Sequence, residues 1–541
     1  MALGDRVAVR GCRALSQGGK RGNCDGRRGE GRLVGLHGLA RMNLNVAIGV
    51  DVGTTGARAV AVDEAGDVVA AGTSEYPLFT PRPQWAEQDP ADWWRATRNV
   101  LAAVSGECRK ARRDVVGIGL TGQMHGSVFL DSSGEVIRPA LLWNDQRTGA
   151  QCEEITERIG ASRLVQITGN PALTGFQAPK VLWLRDEEPA NFDRVAAVLL
   201  PKDYIRWRLT GRFATDASDA AGTLFLDLRR RAWSQEMLDA LELPMQWLPP
   251  VFESPQPAGA VMPTVAAELG LAPGLPVAAG AGDNAAAAIG TAITRAGLMS
   301  SSIGTSGVLF SHADDAVVDP SGRIHTFAHS VPGRYCLLAV TLAAGGSLRW
   351  WREQAGLGYD QLVAEAESVP AGSDGLVFLP YLTGERTPHL DPRAKGAFLG
   401  LTARHTRGHL TRAVMEGVLF SLRDGLEIMR GLGKEPTQIR AIGGGARSPL
   451  WRQLQADIYG AAVHQLAVEE GAAYGAALLG HVAAGTFAGV DEATSVIRTL
   501  DETTEPEPKH VRVYEETYGI YRSLYATLRE DMHRLDALAS R

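Results

Sequence analysis

A carboxylate precedes a Gly-Thr-Thr-Gly turn in residues 46–62 (VAIGVDVGTTGARAVAV), and these side chains could hold a phosphate and a metal ion. The apolar runs on both sides of the turn predict a β-hairpin. Glycines let backbone N–H groups face a phosphate, the hydroxyls of Thr54 and Thr55 add donors, and Asp51 could hold Mg²⁺ through water. A tight hairpin whose turn residues are merely polar is the competing interpretation.

The same pattern returns in the second half of the chain, where residues 297–311 read GLMSSSIGTSGVLFS. The GTSG sequence at 304–307 corresponds to GTTG at 53–56. A repeat this distant predicts two related lobes, because the units of solenoid proteins are far shorter. The second copy has Ser302 where the first has Asp51. We therefore expect two phosphate-facing hairpins that hold a nucleotide between the lobes, with the metal on the first.

Two further predicted strands end in polar residues. Residues 114–121 (DVVGIGLT) predict a buried strand, and Gln123, Met124 and His125 follow it. Ligands of α/β proteins gather at the carboxyl ends of strands, so the His125 imidazole could meet a sugar hydroxyl. Residues 140–148 (ALLWNDQRT) end in a similar polar cluster. A structural histidine and a capped turn are the respective alternatives.

Asp283 stands at the end of the predicted strand 276–282 (PVAAGAG) and at the start of an Ala-rich helix. A helix N-terminus favours an ionised carboxylate, so Asp283 could accept a hydroxyl proton as a general base. The alternative is an ordinary helix N-cap.

Glycines also precede two predicted helices of the second half. Residues 343–347 (AAGGS) lead into one helix, and residues 439–447 (IRAIGGGAR) predict a strand, a triple glycine and a second helix. A strand–glycine–helix unit lets a nucleotide approach backbone N–H groups at a helix N-terminus. Alone, the pattern is unspecific.

The composition limits the class of protein. The chain of 541 residues is long enough for several domains, and its apolar and charged fractions of 45% and 21% are ordinary for a soluble protein. A net charge of −6 gives no reason to expect nucleic acid or an anionic membrane as a partner. The five cysteines lack metal-ligand spacing and indicate a reducing compartment, the cytoplasm. No apolar run reaches membrane-spanning length.

Three segments lie outside these motifs. Residues 1–41 are rich in Gly and Arg, and we expect disorder there, whether they are a mis-assigned start before Met42, a tail or a transit peptide. Residues 243–273, rich in Pro and Ala, are interpreted as the connection between the lobes. Residues 511–528 predict a helix with a stripe of four tyrosines that serves packing.

From residue 46 to near the C-terminus, longer segments resemble the FGGY family of sugar kinases. IGVDVGTTG resembles its first phosphate loop, and TGQMHG, LLWNDQR, AGDNAAAAIG, SIGTSGV, FLPYLTGERTPH and IGGGARSPLWRQ are similar to its segments in order. QMHG followed by WNDQR and GDNA resembles the members that phosphorylate D-xylulose rather than glycerol or gluconate.

The resemblance implies an α/β fold of two RNase H-like lobes, as in the actin and hexokinase ATPases, with a catalytic cleft between them. It implies a sugar-binding lobe that carries the base at 46–291, an ATP-binding lobe at 297–485 and a helical tail at 486–541. The implied reaction is transfer of a phosphoryl group from ATP, with Mg²⁺, to D-xylulose. A sister kinase for ribulose, glycerol or gluconate and a catalytically silent sugar-binding regulator are the alternatives. A homodimer is implied by family analogy only.

Carried over motif by motif, the resemblance assigns a role to each candidate residue. Asp283 would be the catalytic base, and Asp51 would support Mg²⁺ and phosphate. The residues that would contact the sugar are Gln123, Met124, His125, Trp143, Asn144, Asp145 and Asn284. The residues that would contact the nucleotide are Thr54, Thr55, Gly304, Thr305, Gly345, Gly443, Gly444 and Gly445.

Overall fold

Two mixed β-sheets, each covered by helices, form two lobes that follow one another along the chain. The structure is a computed structural model and describes residues 8–11, 45–467 and 471–539. The first sheet lies in the part before residue 291, and the second sheet is built from residues after 297. The two-lobed α/β fold is therefore as expected from the internal repeat.

The first lobe contains sixteen of the described strands and ten of the described helices. Its strands are β1 (Ala8–Gly11), β2 (Val46–Val52), β3 (Gly56–Asp63), β4 (Val68–Glu75), β5 (Glu87–Gln88), β6 (Val115–Gly122), β7 (Val128–Leu130), β8 (Ala140–Leu141), β9 (Ala197–Leu199), β10 (Thr215–Asp216), β11 (Leu226–Asp227), β12 (Ala232–Trp233), β13 (Val251–Phe252), β14 (Pro257–Ala260), β15 (Pro276–Ala278) and β16 (Ala281–Gly282). Its helices are α1 (Pro90–Lys110), α2 (Gly149–Ile159), α3 (Ala161–Thr168), α4 (Gln177–Glu187), α5 (Pro189–Phe192), α6 (Pro201–Thr210), α7 (Ala217–Ala220), α8 (Gln235–Ala240), α9 (Pro263–Leu269) and α10 (Asp283–Gly290).

The second lobe and the segment after it contain the remaining described strands and α-helices. The strands are β17 (Leu298–Ile303), β18 (Gly307–Ala313), β19 (His325–Ala328), β20 (Tyr335–Thr341), β21 (Val377–Leu379), β22 (Ala397–Leu399), β23 (Gln438–Gly443), β24 (Val463–Leu466) and β25 (Thr499–Thr504). The helices are α11 (Gly345–Ala355), α12 (Tyr359–Glu367), α13 (Arg407–Gly431), α14 (Gly444–Arg447), α15 (Pro449–Tyr459), α16 (Gly471–Ala483), α17 (Val490–Ser495) and α18 (Pro508–Ala539).

The strand order of the two sheets is the same, which confirms the repeat at the level of the fold. The first sheet contains the order β4-β3-β2-β6-β15, and the second contains β20-β18-β17-β23-β24. In each sheet the first three strands are antiparallel neighbours, and the last two continue parallel to the third. The predicted hairpins are β2–β3 and β17–β18. The two glycine turns therefore occupy the same position in both lobes.

Two small-residue helices, α10 and α16, cross where the lobes meet. A Cβ atom added to Gly475 of α16 would lie 1.9 Å from the carbonyl oxygen of Ala286 in α10. One added to Gly119 of β6 would lie 1.7 Å from the carbonyl oxygen of Ala476. The small residues are therefore required by close packing of α16 against both α10 and the first sheet.

In three segments the structure differs from the sequence-based prediction. Residues 243–273 do not connect the lobes, because β13, β14 and α9 belong to the first lobe and β14 pairs with β15. The short connection is instead formed by 291–297. The tail 486–541 is not only helical, because β25 adds an antiparallel edge strand to β24. Within 1–41, β1 pairs antiparallel with β4. The rest of the disorder prediction lies outside the described residues.

The C-terminal helix α18 packs on the second lobe through the predicted tyrosine stripe. Tyr514 donates a hydrogen bond to Glu416 at 2.8 Å, and Tyr518 donates one to Asp424 at 2.7 Å, both on α13. The stripe thus serves packing, as predicted. Among the residues described, no helix combines the length and the apolar character that crossing a membrane requires.

Candidate active site

The candidate site begins where two parallel strands of the first sheet end side by side. β16 pairs with β6 so that Ala281 is opposite Thr121 and Gly282 is opposite Gly122. The next residues, Asp283 on one strand and the Gln-Met-His sequence on the other, therefore emerge at the same edge. Met124 fills the space beside Gly282, where an added Cβ would lie 2.9 Å from its Cγ. Close backbone packing thus brings Asp283 and Met124 together.

Asp283 is the first residue of α10 and is partly buried. Its Oδ1 accepts hydrogen bonds from the backbone N–H of Asn284 at 2.7 Å and from Asn284 Nδ2 at 2.8 Å. Burial raises the pKa of Asp283 to about 6, against the effect of these two donors. The carboxylate is therefore ionised at neutral pH but sufficiently basic to accept a proton, as a general base requires.

A buried charge cluster supports the backbone just before Asp283. Gly282 N–H donates to Ser218 Oγ at 3.3 Å, and that hydroxyl donates to Asp216 at 2.5 Å. Lys202, whose side chain is fully buried, contacts Asp216 at 2.9 Å as well as Asp203 at 2.6 Å. Burial of such ions is tolerated only when they are paired, so the cluster holds the strand end in one position.

A cavity of about 270 Å³ lies in front of Asp283, between the two lobes. Five of the predicted residues line it, all from the first lobe: Met124, His125, Trp143, Asp283 and Asn284. The opposite wall comes from the second lobe and includes Ser306, His325, Phe327 and Arg386. Carboxylate, amide and imidazole groups on a partly apolar wall suit a small polyhydroxylated ligand.

His125 is held in an unusual backbone conformation, with a φ of 68°. Its Nδ1 lies 2.6 Å from the carbonyl oxygen of Gly222, and Lys180 Nζ donates to the His125 carbonyl at 2.8 Å. Burial lowers the pKa of His125 to about 3, helped by the charges of Lys180 and Arg386. The neutral ring donates from Nδ1 to Gly222, which leaves Nε2 as an acceptor for a ligand hydroxyl.

Asp51, at the end of β2, lies two strands from Asp283 because β6 runs between β2 and β16. Its Oδ1 is buried and has no hydrogen-bond partner. Burial, and then the charge of Asp283, raises the pKa of Asp51 to about 7, although Arg58 opposes this. A buried carboxylate oxygen without a donor fits a Mg²⁺ ion, directly or through water. The described residues contain no cluster of three or more His, Cys, Asp or Glu side chains that could hold a metal ion.

The first hairpin turn is held by residues that the sequence did not indicate. Gln88 Nε2 donates to the Thr54 carbonyl at 2.7 Å, and the Tyr76 hydroxyl donates to the Gly53 carbonyl. Thr54 Oγ1 accepts from Trp143 Nε1 at 3.0 Å, whereas Thr55 is exposed. Thr54 therefore links the turn to Trp143, and Thr55 remains exposed at the turn.

A second, larger cavity of about 840 Å³ lies on the second lobe. Five of the predicted nucleotide residues line it, namely Gly304, Thr305, Gly345, Gly444 and Gly445. Gly443 lies just behind, with a φ of 75°, and a Cβ there would be 2.8 Å from the Ile303 carbonyl oxygen. Only glycine is compatible with this turn from β23 into α14. The triple glycine thus lets the backbone form the cavity wall.

The GTSG turn at 304–307 lies between the two cavities. Gly304 and Thr305 line the large cavity, while the adjacent Ser306 lines the small one. The turn is closed by the Gly304 N–H donating to the Ser306 carbonyl at 3.0 Å. A phosphate chain that entered from the large cavity would therefore end beside this turn, facing Asp283.

Three predicted sugar residues do not line the small cavity. Gln123 is buried and accepts a hydrogen bond from Thr54 Oγ1 at 3.2 Å. Asp145 is fully buried, where Arg147 binds both of its oxygens and Ala86 N–H donates at 2.7 Å. Asn144 is partly buried, and its Oδ1 has no partner. Gln123 and Asp145 therefore hold neighbouring segments of the first lobe together.

His325 and Phe327 of the second-lobe wall were missed by the sequence reasoning. His325 and Phe327 stack with ring centroids 5.5 Å apart, and Phe176 packs edge-on against His325. These are single aromatic residues without a motif, so no local signal distinguished them from core residues. Arg386 did have a signal, because it stands within the polar FLPYLTGERTPH segment that follows a strand.

Comparison with known proteins gives the family. The models of the FGGY family of carbohydrate kinases match at residues 46–290 for the N-terminal domain and 299–484 for the C-terminal domain. The chain is similar to the xylulose kinase of Escherichia coli strain K12, at 41% identity over 89% of this chain and 99% of that protein. It is 40% identical to the xylulose kinase of Lactococcus lactis, over 91% and 99% of the respective chains.

Among solved structures, the crystal structure of xylulose kinase from Rhodospirillum rubrum superimposes with a TM-score of 0.85 at 35% identity. The match covers 90% of this chain and 100% of the other. Both lobes and the cleft between them are therefore included in the similarity. With a carboxylate facing one cavity, a glycine-lined second cavity and these matches over both lobes, the chain belongs to the FGGY family of carbohydrate kinases and is a kinase that uses ATP.

Proposed function

We propose that this protein transfers the γ-phosphoryl group of ATP to D-xylulose, giving ADP and D-xylulose 5-phosphate. The observation that carries the proposal is the shared GTSG turn, which separates a glycine-lined cavity from a small cavity containing Asp283. ATP in the large cavity would present its terminal phosphate to a sugar in the small one. The similarity to xylulose kinases along both lobes supports the choice of D-xylulose.

Asp283 acts as the base in this reaction. It accepts the proton of the C5 hydroxyl while that oxygen forms a bond to the γ-phosphorus, and the bond from phosphorus to the β,γ-bridging oxygen breaks to release ADP. A pKa of about 6 keeps Asp283 ionised before the transfer. Phosphoryl transfer depends mainly on positioning and on charge neutralisation, and the paired Asn284 donors fix the direction of the carboxylate.

Asp51, through Mg²⁺, and the two hairpin turns would neutralise the negative charge of the phosphates. Asp51 would hold Mg²⁺, which neutralises phosphate charge when bound. Backbone N–H groups of the turns and the Thr55 hydroxyl donate to phosphate oxygens. These groups are placed before the reaction, so little reorganisation is needed during transfer.

The neutral side of the small cavity orients the sugar. His125 Nε2 accepts a hydrogen bond from a sugar hydroxyl, and Trp143 covers the open carbon chain of the ketose. His325 and Phe327 of the second lobe exclude water. Because water competes as an acceptor of the phosphoryl group, closure of the lobes over the sugar limits ATP hydrolysis. We expect slow ATP hydrolysis in the absence of sugar.

The substrate is tested by ADP release with Mg-ATP in the presence of different acceptors. D-Xylulose should give the highest kcat/KM, in comparison with D-ribulose, L-ribulose, L-xylulose, glycerol, gluconate and no acceptor. A preference for another sugar would leave the assignment of the base and the fold unchanged but would show that D-xylulose is not the substrate. Sugar binding without sugar-stimulated ADP release would instead favour the alternative function, a catalytically silent sugar-binding regulator.

A further inference from the structure

Arg386 of the second lobe lines the small cavity opposite the catalytic base. It belongs to the loop that follows β21, and its side chain shares the cavity with Asp283 and His125. Its charge lowers the pKa of both His125 and His325. The guanidinium therefore acts electrostatically on histidines of both lobes, and all three side chains line the same cavity.

The backbone at Arg386 is held firmly by its two neighbours. The buried Glu385 carboxylate accepts four hydrogen bonds, from Thr341 Oγ1 at 2.5 Å, Ser421 Oγ at 3.0 Å and the N–H groups of Leu342 and Arg386 at 3.0 and 2.7 Å. Thr387 N–H donates to the Val340 carbonyl at 3.0 Å. The loop is therefore fixed to β20 and α13, and the Arg386 side chain starts from a defined position.

Among the residues that the structure describes, no carboxylate forms an ion pair with the Arg386 guanidinium. The adjacent Glu385 already accepts from four donors, and only its charge acts on Arg386. Burial lowers the pKa of Arg386, although the side chain remains charged in proteins. Partly removing a guanidinium from water without an anionic partner is costly. Such a group is prepared for an anion that arrives with the ligand.

A neutral ketose cannot supply that anion, but the reaction can. Resting on the function proposed above, we propose that Arg386 binds the phosphoryl group as it passes from ATP to the sugar and retains it in the sugar phosphate product. The bonds made and broken are those already described, and Arg386 exchanges no proton. Its planar fork of donors suits two phosphoryl oxygens at once. Because Arg386 comes from the second lobe and Asp283 from the first, this contact would also favour the closed cleft once the phosphate is present.

Arg386 could instead contact a sugar hydroxyl, and the two possibilities predict different affinities for the sugar and the sugar phosphate. Binding measurements therefore distinguish them. We would measure the affinity of D-xylulose and of D-xylulose 5-phosphate by calorimetry for wild type, Arg386→Gln and Arg386→Lys. For Arg386→Gln we expect the affinity for the sugar phosphate to fall about 10- to 100-fold, as for loss of a hydrogen bond to a charged group. The affinity for D-xylulose should change by less than about threefold.

Turnover gives the second readout. Arg386→Gln should lower kcat about 10²- to 10³-fold, as removal of one donor to a developing charge does. Arg386→Lys should recover part of the sugar phosphate affinity, because it retains the charge but not the fork. The matched control is Arg393→Gln, an exposed arginine of the same loop, which should behave as wild type in both assays.

Equal losses of D-xylulose and D-xylulose 5-phosphate affinity in Arg386→Gln would overturn the proposal and assign Arg386 to the sugar. Unchanged affinity and turnover would overturn it as well. Circular dichroism and an unchanged affinity for ADP, which lacks the transferred phosphoryl group, verify that the variant is folded. If wild type itself does not phosphorylate D-xylulose, the proposed function fails first, and the same comparison is then made with the acceptor that wild type does use and its phosphate.

Discussion

Replacement of Asp283 by Asn should make the protein more stable while nearly abolishing its activity. Burial raises the pKa of this carboxyl from 3.8 to about 6. A difference of about 2 pKa units corresponds to about 3 kcal/mol, which the folded state loses when Asp283 is ionised. The amide of Asn carries no charge, and its oxygen can still accept the N–H of Asn284. The variant should therefore escape most of that cost.

The pH dependence identifies the cause. Below pH 3.8 the group is protonated in both states, and ionisation has no effect on stability. Between 3.8 and about 6 the unfolded chain releases the proton and the folded chain keeps it, so wild-type stability falls as the pH rises. Above pH 6 the full cost is present. The stabilisation of Asp283→Asn should be largest at pH 7–8 and should disappear toward pH 4.

Thermal unfolding and ADP release test both halves of this prediction. With about 2–4 °C per kcal/mol for a domain of 150–250 residues, the Tm of the variant should exceed that of wild type by about 5 °C or more at pH 8. Activity should fall by orders of magnitude. The control Asp114→Asn, at an exposed position, should leave both unchanged. A lower Tm at pH 8, or a Tm difference that does not vary with pH, would refute the reasoning from burial, and near-normal turnover would remove Asp283 from the chemistry.

Three further predictions follow from the site. Because the pKa of Asp51 is about 7, Mg²⁺ binding at this carboxylate should displace a proton, and the affinity for Mg-ATP should fall about tenfold per pH unit below pH 7. Calorimetry should find no such pH dependence in Asp51→Asn. A pH dependence that persists in this variant would place the ion elsewhere. Because the pKa of His125 is about 3, the Kd of D-xylulose from tryptophan fluorescence should be constant from pH 5 to 8 in the Asp283→Asn variant, which lacks the carboxyl that titrates near pH 6. A transition near pH 6.5 in that variant would contradict a neutral ring. Gly443→Ala should weaken binding of an ATP analogue about tenfold or more, because φ is 75° and ψ is −164°, a conformation that costs a non-glycine residue about 1–3 kcal/mol and that forms the cavity wall. Sugar affinity should stay the same, and equal loss of both would indicate general unfolding.

Much of the fold follows from local patterns that the structure satisfies. The two glycine turns are each preceded by an apolar strand and followed by another, so the hairpins and the two-lobe repeat could be predicted. Asp283 could be placed at a strand end because PVAAGAG changes abruptly into an Ala-rich helix. In the same way, the triple glycine between a strand and a helix indicated the backbone wall of the large cavity.

Side-chain competition within loops could not be predicted. Asp145 looked available for a sugar, but Arg147 two residues later binds both of its oxygens and lies 3.4 Å from the Trp85 ring centroid. That stable ion pair draws the carboxylate under the loop. The Pro- and Ala-rich stretch 243–273 looked like a linker, yet its short strands add to the edge of the first lobe. Such pairings depend on partners distant in sequence.

The most direct test of the account is the position of the phosphate in the product. Wild-type protein would be incubated with Mg-ATP and ¹³C-labelled D-xylulose, and the carbon that carries the phosphate would be identified by ¹³C and ³¹P NMR. The account predicts the phosphate on C5, with no product formed by Asp283→Asn under the same conditions. A phosphate on another carbon, or a product that Asp283→Asn forms at the wild-type rate, would contradict the arrangement of base, sugar and nucleotide around the GTSG turn.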